Sequence, residues 1–541
     1  MKKSILFLGL ALLATTAMAG GPGPRKVMRK DGRMMNPPAF GTKEADMVAR
    51  RHAPLRIIGN NRPAYFPHTG APRVLTILVN FADEAFSVNQ PKEAFRQFFN
   101  GDEQRDLGNG NNYNIGSVAR YFNAMSNGAF TPAFDVYGPV TVERNMAFYG
   151  GNNENSNADE KPQQLLRDAI KLVEDSVDNA SDYDSDNDGN IDCVFLVYAG
   201  LGQNFGGGPS TVWAVTSTSA SAATFKGKNV GLYTMAAELA PIKVSNDNDN
   251  YMISGIGVAC HEFSHAMGLP DIYPYNASAQ VDNQEMEYWD LMDGGEYVRN
   301  GFAPTAYTAW EKAQMGWDVD IRTLEQNGSY TMSTTTEQGG TAYKMTNPAN
   351  KNGNEYMMLE NVQRTGWNRY VPGHGLLVYH VYDQNTIYMT TKLNDTKGRP
   401  GMAVVPADSA CLSSYLAQNQ SAYAQSHYGD PFPGTSRLTR LNDDLGLPNF
   451  YWYDGDNEPS PTNASFHRVN QALDNIAEND GAISFDYIAN TATGIHATGA
   501  DTTSRSRATA VYTIDGRPAG HSLRGLPKGV YIVNGQKWVV R

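Results

Sequence analysis

The chain has 541 residues, of which 41% are hydrophobic and 18% charged, with 52 glycines and 28 prolines. This length and composition predict a soluble, loop-rich protein of about three domains. The formal net charge of -12 at pH 7 argues against nucleic acid or an anionic membrane surface as the main partner.

Residues 1–19 are typical of a secretory signal peptide, because two lysines precede an apolar segment over 5–14 and a small-residue cleavage site ends at Ala19. The apolar segment is too short to span a bilayer. No other segment is long and apolar enough for a transmembrane helix, so we expect an exported protein. Residues 20–70 are rich in Gly, Pro, Arg and Lys, which indicates a flexible leader or a short pro-segment.

Residues 71–320 are predicted to form a domain in which strands and helices alternate. Apolar runs predict strands over 74–81, 134–142 and 191–199. Amphipathic spacing predicts helices over 91–99, 117–126, 162–177 and 304–317. The extended segment 229–239 is a candidate edge strand that could pair with an extended peptide.

An acidic loop lies just before the strand at 191–199. Its alternating carboxylates and Gly189 resemble the first half of an EF-hand calcium loop, but the twelfth position from Asp184 is Phe195 rather than a bidentate Glu. Two interpretations stay open: a local structural Ca²⁺ site completed by further oxygens, or a solvated acidic turn. The candidate calcium ligands are Asp184, Asp186, Asp188, Asn190 and Asp192.

Residues 254–271 contain the pattern H-E-x-x-H-x-x-G-x-x-D. His261 and His265 are four residues apart, so on a helix they project from one face about one turn from each other. Two imidazoles so placed can bind one tetrahedral zinc ion, and Glu262 beside them can act as general base toward a water molecule. The alternative is a buried helix whose two histidines make ordinary hydrogen bonds.

The residues around this helix complete the predicted site. Ser254 is the predicted N-cap, and Gly268 allows a sharp turn after the helix. That turn can bring Asp271 back as a third, oxygen ligand. Further along, Met292 lies in a predicted tight turn and can form an apolar floor beneath the metal.

Beyond residue 320 the patterning is of the β type. Short strands separated by Gly, Pro and Asn turns predict a sandwich-like accessory region over 321–490. Residues 491–508 have the composition of a linker, and 509–541 are predicted to form a small β tail. The predicted fold class is therefore α+β: a mixed twisted sheet with helices, then the β-rich region and the tail.

Residues 261–273 closely resemble the zinc motif of the immune inhibitor A family of secreted bacterial metalloproteases, in the metzincin clan. The similarity covers roughly residues 70–488 and includes the first strand, the acidic loop and the segments 310–317 and 429–434.

The resemblance implies a catalytic domain of the metzincin type with calcium near the acidic loop. It implies zinc bound by His261, His265 and Asp271, with Glu262 as base and Met292 as the Met-turn residue. Several clan members carry a Tyr two residues after the turn Met, where this chain has Gly294.

Residues 509–541 resemble the C-terminal sorting domain of proteins exported by the type nine secretion system of Bacteroidetes. This resemblance implies that the tail directs the protein to that machinery, and that the protein is secreted or held at the cell surface.

Two functions follow from these features. The first is a secreted zinc endopeptidase acting on extracellular proteins or peptides. The second is a surface binding protein with a structural zinc. A structural zinc site usually fills all four positions with protein ligands and needs no base, so Glu262 favours the peptidase.

Overall fold

The computed structural model describes residues 65–102, 113–152, 159–275, 286–383, 391–411 and 427–491, together with 279, 387 and 389. In 242–250 only strand backbone is described, without 246–247. The C-terminal part is described over 511–514, 516–520 and 526–532, with strand backbone to 540 apart from 534–535. Two short strand pairs lie earlier, Val27–Met28 with Met34–Met35 and Ile57–Ile58 with Arg62–Pro63. The predicted signal peptide and nearly all of the predicted linker lie outside the described residues.

A mixed, curled sheet organises the N-terminal half. Its strands are β1 (Arg73–Asn80), β2 (Ala133–Thr141), β3 (Asn190–Ile191), β4 (Val194–Leu201), β5 (Val215–Phe225), β6 (Lys228–Ser245) and β7 (Asn248–Ile253). The order β7-β6-β4-β1-β2 is parallel between β6, β4, β1 and β2. β5 and β7 both pair antiparallel with β6, whereas β3 pairs with it in parallel.

Helices cover both faces of this sheet, which is why β1 and β4 are almost continuously apolar. They are α1 (Pro91–Asn100), α2 (Val118–Met125), α3 (Met146–Gly150), α4 (Pro162–Val173), α5 (Ile256–Ala266) and α6 (Ala309–Gln314). Side chains of α1, α2, α5 and α6 share one buried cluster, and those of α3 and α4 share another. No helix among the described residues combines the length and apolar character needed to cross a membrane.

Three predictions for this half were wrong in detail. The segment 229–239 lies inside the sheet, because β6 pairs with β4 on one edge and with β5 and β7 on the other. Helix α6 begins at Ala309 rather than near 304, because Thr308 and Glu311 form a capping box there. The predicted leader ends in packed structure, since Phe66 is buried and its ring centroid lies 4.9 Å from that of Phe263 on α5.

The C-terminal half contains two sheets that enclose a common core. The strands are β8 (Ile321–Thr323), β9 (Gly328–Met332), β10 (Ala342–Thr346), β11 (Glu355–Val362), β12 (Gly375–Tyr382), β13 (Met402–Val404), β14 (Ala472–Asn479) and β15 (Ala482–Ile488). One sheet has the order β8-β10-β11-β12-β13 and the other β9-β15-β14.

The larger of these two sheets also contributes to the core around α5. Met358 on β11 and Tyr379 on β12 are fully buried in the same cluster as Phe263 and Trp310. The two halves therefore share one apolar interior.

The tail forms a separate small sheet of order β17-β16-β18-β19, from β16 (Val511–Thr513), β17 (Pro518–Gly520), β18 (Gly529–Val533) and β19 (Gln536–Val540).

Candidate metal centre

Helix α5 places the two histidines on one face, and backbone carbonyls fix both rings. His261 Nδ1 lies 3.0 Å from the Leu291 carbonyl oxygen, and His265 Nδ1 lies 2.7 Å from the Leu269 carbonyl oxygen. A carbonyl oxygen only accepts, so each Nδ1 carries the proton and each Nε2 keeps a lone pair. The two Nε2 atoms are then available as metal ligands.

Asp271 completes a three-atom site with these imidazoles. Its Oδ1 lies 3.0 Å from His261 Nε2 and 3.1 Å from His265 Nε2. Its other oxygen accepts a hydrogen bond from the Tyr275 hydroxyl. All three groups are buried and their ligand atoms lie within 4.8 Å of one another.

This donor set fits a zinc ion. When both imidazoles are neutral, their two Nε2 lone pairs and the Asp271 oxygen face one point, an arrangement that a divalent cation satisfies. Zinc bonds of about 2.0–2.2 Å in a tetrahedral site place neighbouring ligand atoms roughly 3.4 Å apart. The separations of 3.0 and 3.1 Å are close to that value.

The charges around the site also favour a cation. Burial raises the pKa of Asp271, but the facing histidines outweigh it, so that pKa lies well below its usual range. Burial lowers the pKa of His265, but the carboxylates around it outweigh that effect and raise its pKa. Asp271 is therefore held as a carboxylate, the form that can bind a cation.

Glu262 lies beside the ligands, with a hydroxyl holding its side chain. Thr216 Oγ1 on β5 lies 2.9 Å from Glu262 Oε2 and 2.6 Å from the Glu262 carbonyl oxygen. Burial raises the pKa of Glu262, and the two histidines partly oppose that rise. A carboxylate with a raised pKa is a stronger base, which suits proton transfer near neutral pH.

A second buried carboxylate, Glu296, was not predicted. Its Oε2 lies 3.9 Å from His261 Nδ1, and burial raises its pKa to about 7. Glu296 belongs to the 3-10 helical turn Gly294–Gly301, whose backbone packs against Gly255 and Gly257 at the start of α5. Neither Glu296 nor Thr216 is near the histidines in sequence, so no spacing signal could identify them.

The predicted Met turn lies next to the segment that carries Asp271. Met292 is fully buried, and its backbone N–H donates to Asp290 Oδ1 at 2.8 Å. Its carbonyl oxygen accepts from the Ile272 N–H at 2.8 Å. The turn thus contacts both the residue after Asp271 and, through the Leu291 carbonyl, the ring of His261.

The end of α5 agrees with the prediction from its sequence, whereas its start does not. Gly268 has a φ of +109°, as the predicted sharp turn requires. The N-cap is Gly255, not Ser254, whose hydroxyl instead donates to the Ala237 carbonyl oxygen. The side-chain oxygen of Asn114 accepts from the Ile256 N–H and so takes over the capping role.

The acidic loop brings together three of the five candidate calcium ligands. Oxygens of Asp184, Asp186 and Asp188 lie within 4.8 Å of one another. Lys228 Nζ lies 2.5 Å from Asp184 Oδ2 and neutralises part of the charge that would attract a cation. Asp192 Oδ2 accepts from the Ser185 N–H, and burial raises the pKa of Asp192 to about 6.

Asn190, the fifth candidate, is bound to its neighbours in the loop and on β6. Its side-chain N–H lies 3.5 Å from the Asp188 carbonyl oxygen, and its side-chain oxygen accepts from Asn229 at 3.0 Å. That oxygen is thus already engaged by an amide.

Comparison with known proteins identifies the domain that contains the metal centre. Residues 67–319 match the family described as immune inhibitor A peptidase M6, catalytic domain. These residues are similar to a peptidase M6 catalytic domain, and we call them the M6 domain. This M6 domain includes both histidines, Glu262, Asp271 and Met292, and the match ends just before β8.

Two relatives of the M6 domain and its surroundings show the extent of the similarity. Pre-pro-metalloprotease PrtV of Vibrio cholerae serotype O1 is 27% identical over 227 residues, which cover 37% of this chain and 24% of that protein. Immune inhibitor A of Bacillus thuringiensis subsp. alesti is 25% identical over 324 residues, which cover 51% of this chain and 44% of that protein. The chain thus spans less than half the length of these curated relatives. It is homologous to metalloproteases, and that homology implies a metal, typically zinc.

Proposed function

We propose that this protein is a zinc-dependent endopeptidase of the metzincin type. In this proposal His261, His265 and Asp271 bind the metal, Met292 lies in the Met turn and Glu262 is the general base. The observation that supports it most is the convergence of three buried ligand atoms beside a buried, hydrogen-bonded carboxylate.

The roles of the residues follow from their positions. A bound zinc ion would lower the pKa of a water molecule and polarise the carbonyl group of the scissile peptide bond. Glu262 takes the proton from the attacking water and returns it to the leaving amine. Thr216 holds one oxygen of that carboxylate, and the buried surroundings of α5 limit access of bulk water.

Substrate binding is proposed at β5, in place of the segment 229–239. Strand β5 pairs with β6 on one edge, and its other edge has no strand partner among the described residues. Thr216 on this strand contacts Glu262, so an extended peptide paired with the outer edge would run past the base. Proteins and peptides in extended conformation are thus the proposed substrates.

The rival function, a surface binding protein with a structural zinc, is less well supported. A structural zinc site usually has four protein ligands, whereas the cluster found among the described residues has three. A binding protein also has no need of a buried carboxylate positioned beside those ligands.

Export is proposed on the sequence of both ends of the chain. Residues 1–19 would be a signal peptide, and 509–541 a sorting tail of the type nine kind. We expect the full chain in the culture medium or at the cell surface, and a chain ending at 508 retained inside. Equal export of both forms would remove the role assigned to the tail.

A structural Ca²⁺ ion is proposed at the acidic loop, bound by Asp184, Asp186 and Asp188, with Asn190 and Asp192 nearby. Calcium should then raise the unfolding temperature of chelator-treated protein, and Asp186→Asn should reduce that rise. An unchanged unfolding temperature would favour the solvated acidic turn, with Lys228 as the counter-charge.

The peptidase proposal is tested by hydrolysis of an unfolded protein such as casein. We expect the wild type to cut casein, a chelator to stop it, and Glu262→Ala to reduce turnover at least about 1,000-fold while retaining zinc. Glu93→Ala, in an exposed position on α1, is the control and should cut like the wild type. Cleavage by Glu262→Ala at the wild-type rate would contradict the mechanism.

A further inference from the structure

The segment that carries Asp271 is held by side chains of the β-rich region. Asn394 Nδ2 donates to the Ile272 carbonyl oxygen at 2.6 Å, and the Tyr275 N–H donates to Asp395 Oδ1 at 2.6 Å. Ile272 directly follows Asp271, and the Tyr275 hydroxyl donates to the Asp271 carboxylate. Both contacts therefore lie within the four residues that directly follow Asp271.

Asn394 is itself fixed to a strand. Its Nδ2 also donates to the Met402 carbonyl oxygen at 2.8 Å, and its Oδ1 accepts from the Met402 N–H at 2.9 Å. The residue is 1% exposed, and Met402 is the first residue of β13. A buried amide with these bonds has one orientation, so it links the Ile272 backbone rigidly to the sheet.

Asp271 needs such support more than the histidines do. Both histidines lie within α5, where the helix fixes their spacing. Asp271 lies beyond Gly268, outside the helix, so tertiary contacts must determine where its carboxylate lies. Within the M6 domain, the Ile272 N–H bond to the Met292 carbonyl oxygen supplies one such contact at 2.8 Å.

We propose that Asn394 and Asp395 are positioning residues that hold Asp271 in its ligand position, so that the β-rich region completes the metal site. This inference rests on the proposed role of Asp271 as a zinc ligand. Neither residue contacts the metal or the substrate, and both act through the backbone of 271–275. Outer partners of metal ligands typically contribute 10- to 100-fold in metal affinity, which sets the expected effect at about that size.

The test is the zinc dissociation constant of the full chain, measured by competition with a chromophoric chelator. Asn394→Ala and Asp395→Ala should each weaken zinc binding about 10- to 100-fold. Asp395→Asn should bind zinc nearly as the wild type does, because an amide oxygen also accepts from the Tyr275 N–H. This rescue separates the hydrogen bond from the charge of Asp395, which also lies 3.4 Å from Lys392 Nζ.

Asn361 provides a matched control within the β-rich region. It is also 1% exposed, and its Nδ2 donates to the carbonyl oxygens of Met332 at 3.1 Å and Gly481 at 2.8 Å. Asn361→Ala therefore removes a similar buried amide that has no contact with the segment 271–275. We expect it to lower the unfolding temperature and leave zinc affinity unchanged.

The possible results separate this inference from the peptidase proposal. Wild-type zinc affinity in Asp395→Ala, or an equal loss in Asn361→Ala, would overturn the positioning role. If Asn394→Ala does not fold, the two Asp395 variants decide the question, since that side chain is at the rim and 16% exposed. A wild type without any zinc affinity would instead overturn the proposed function itself.

Discussion

Thr216 has one hydroxyl hydrogen and three oxygens within its reach: the Glu262 carbonyl oxygen at 2.6 Å, Glu262 Oε2 at 2.9 Å and Thr234 Oγ1 at 3.1 Å. The residue is fully buried, so it can influence the base without contacting the substrate. A hydrogen bond to a charged carboxylate contributes about 1.5–3 kcal/mol, which corresponds to roughly 10- to 100-fold in rate if it is needed to orient the base.

We therefore expect Thr216→Val to lower kcat about 10- to 100-fold with little change in KM. Thr216→Ser keeps the hydroxyl and should stay within about threefold of the wild type. Steady-state hydrolysis of a fluorogenic peptide measures both constants. A Thr216→Val variant with wild-type kcat would show that the contact does not position Glu262.

Among single residues, the sequence allowed the two histidine ligands and the base Glu262 to be proposed, because helical spacing determines where the side chains of one helix point. It did not reveal Thr216 or Glu296, which reach the site only through the packing of β5 and of Gly294–Gly301. The Ser254 cap was wrong for a related reason. A Cβ atom on Gly255 would lie 2.1 Å from the Gly301 carbonyl carbon, so the close approach of another segment decides which residue caps the helix.

The start of α5 packs against the turn that carries Glu296 with no room for a side chain. A Cβ atom on Gly257 would lie 1.8 Å from the Glu296 carbonyl oxygen, which belongs to backbone that cannot easily move. Glycine is unfavourable within a helix, so its presence here reflects this contact. The contact also determines where the turn lies relative to the histidines.

We expect Gly257→Ala to destabilise the protein by about 3 kcal/mol, although alanine favours helix formation. Urea unfolding followed by circular dichroism measures the change. Gly328→Ala is the control, because a Cβ atom there would meet only one atom of the Tyr330 ring at 3.8 Å. Equal stability of Gly257→Ala and wild type would contradict the close packing described for α5.

Element prediction succeeded where one pattern dominated a segment. The stripe of Leu165, Ala169 and Val173 on α4 is buried as its spacing predicts. Strand β5 was missed because its sequence is rich in Ser, Thr and Ala and contains no apolar run. That omission led to the placement of 229–239 at an edge, since the strand that covers it was not recognised.

The predicted boundary near residue 320 does not separate two hydrophobic cores. The first α6 residue, Ala309, donates its N–H to Glu360 Oε1 at 2.9 Å, and Ala306 donates to Asn368 Oδ1 at 2.9 Å. Fully buried apolar residues of β11 and β12 belong to the cluster around α5. Sequence patterning detected the change from mixed to β-type elements, but it contains no information about which faces pack together.

We expect a chain ending at residue 320 to lack cooperative thermal unfolding, because it would expose the apolar face that β11 and β12 cover. A chain ending at 491 removes only the predicted linker and tail and should unfold cooperatively, near the temperature of the full chain. Calorimetry of both distinguishes these cases. Cooperative unfolding of the 320-residue chain would show that the M6 domain is stable alone.

The proposed function depends above all on the binding of one zinc ion by His261, His265 and Asp271 together. Diffraction data collected on either side of the zinc absorption edge test it most directly, because the difference locates zinc without reference to activity. We predict one strong anomalous peak between the Nε2 atoms of both histidines and Oδ1 of Asp271. A peak at any other set of side chains, or none in crystals of protein that cuts casein, would contradict it.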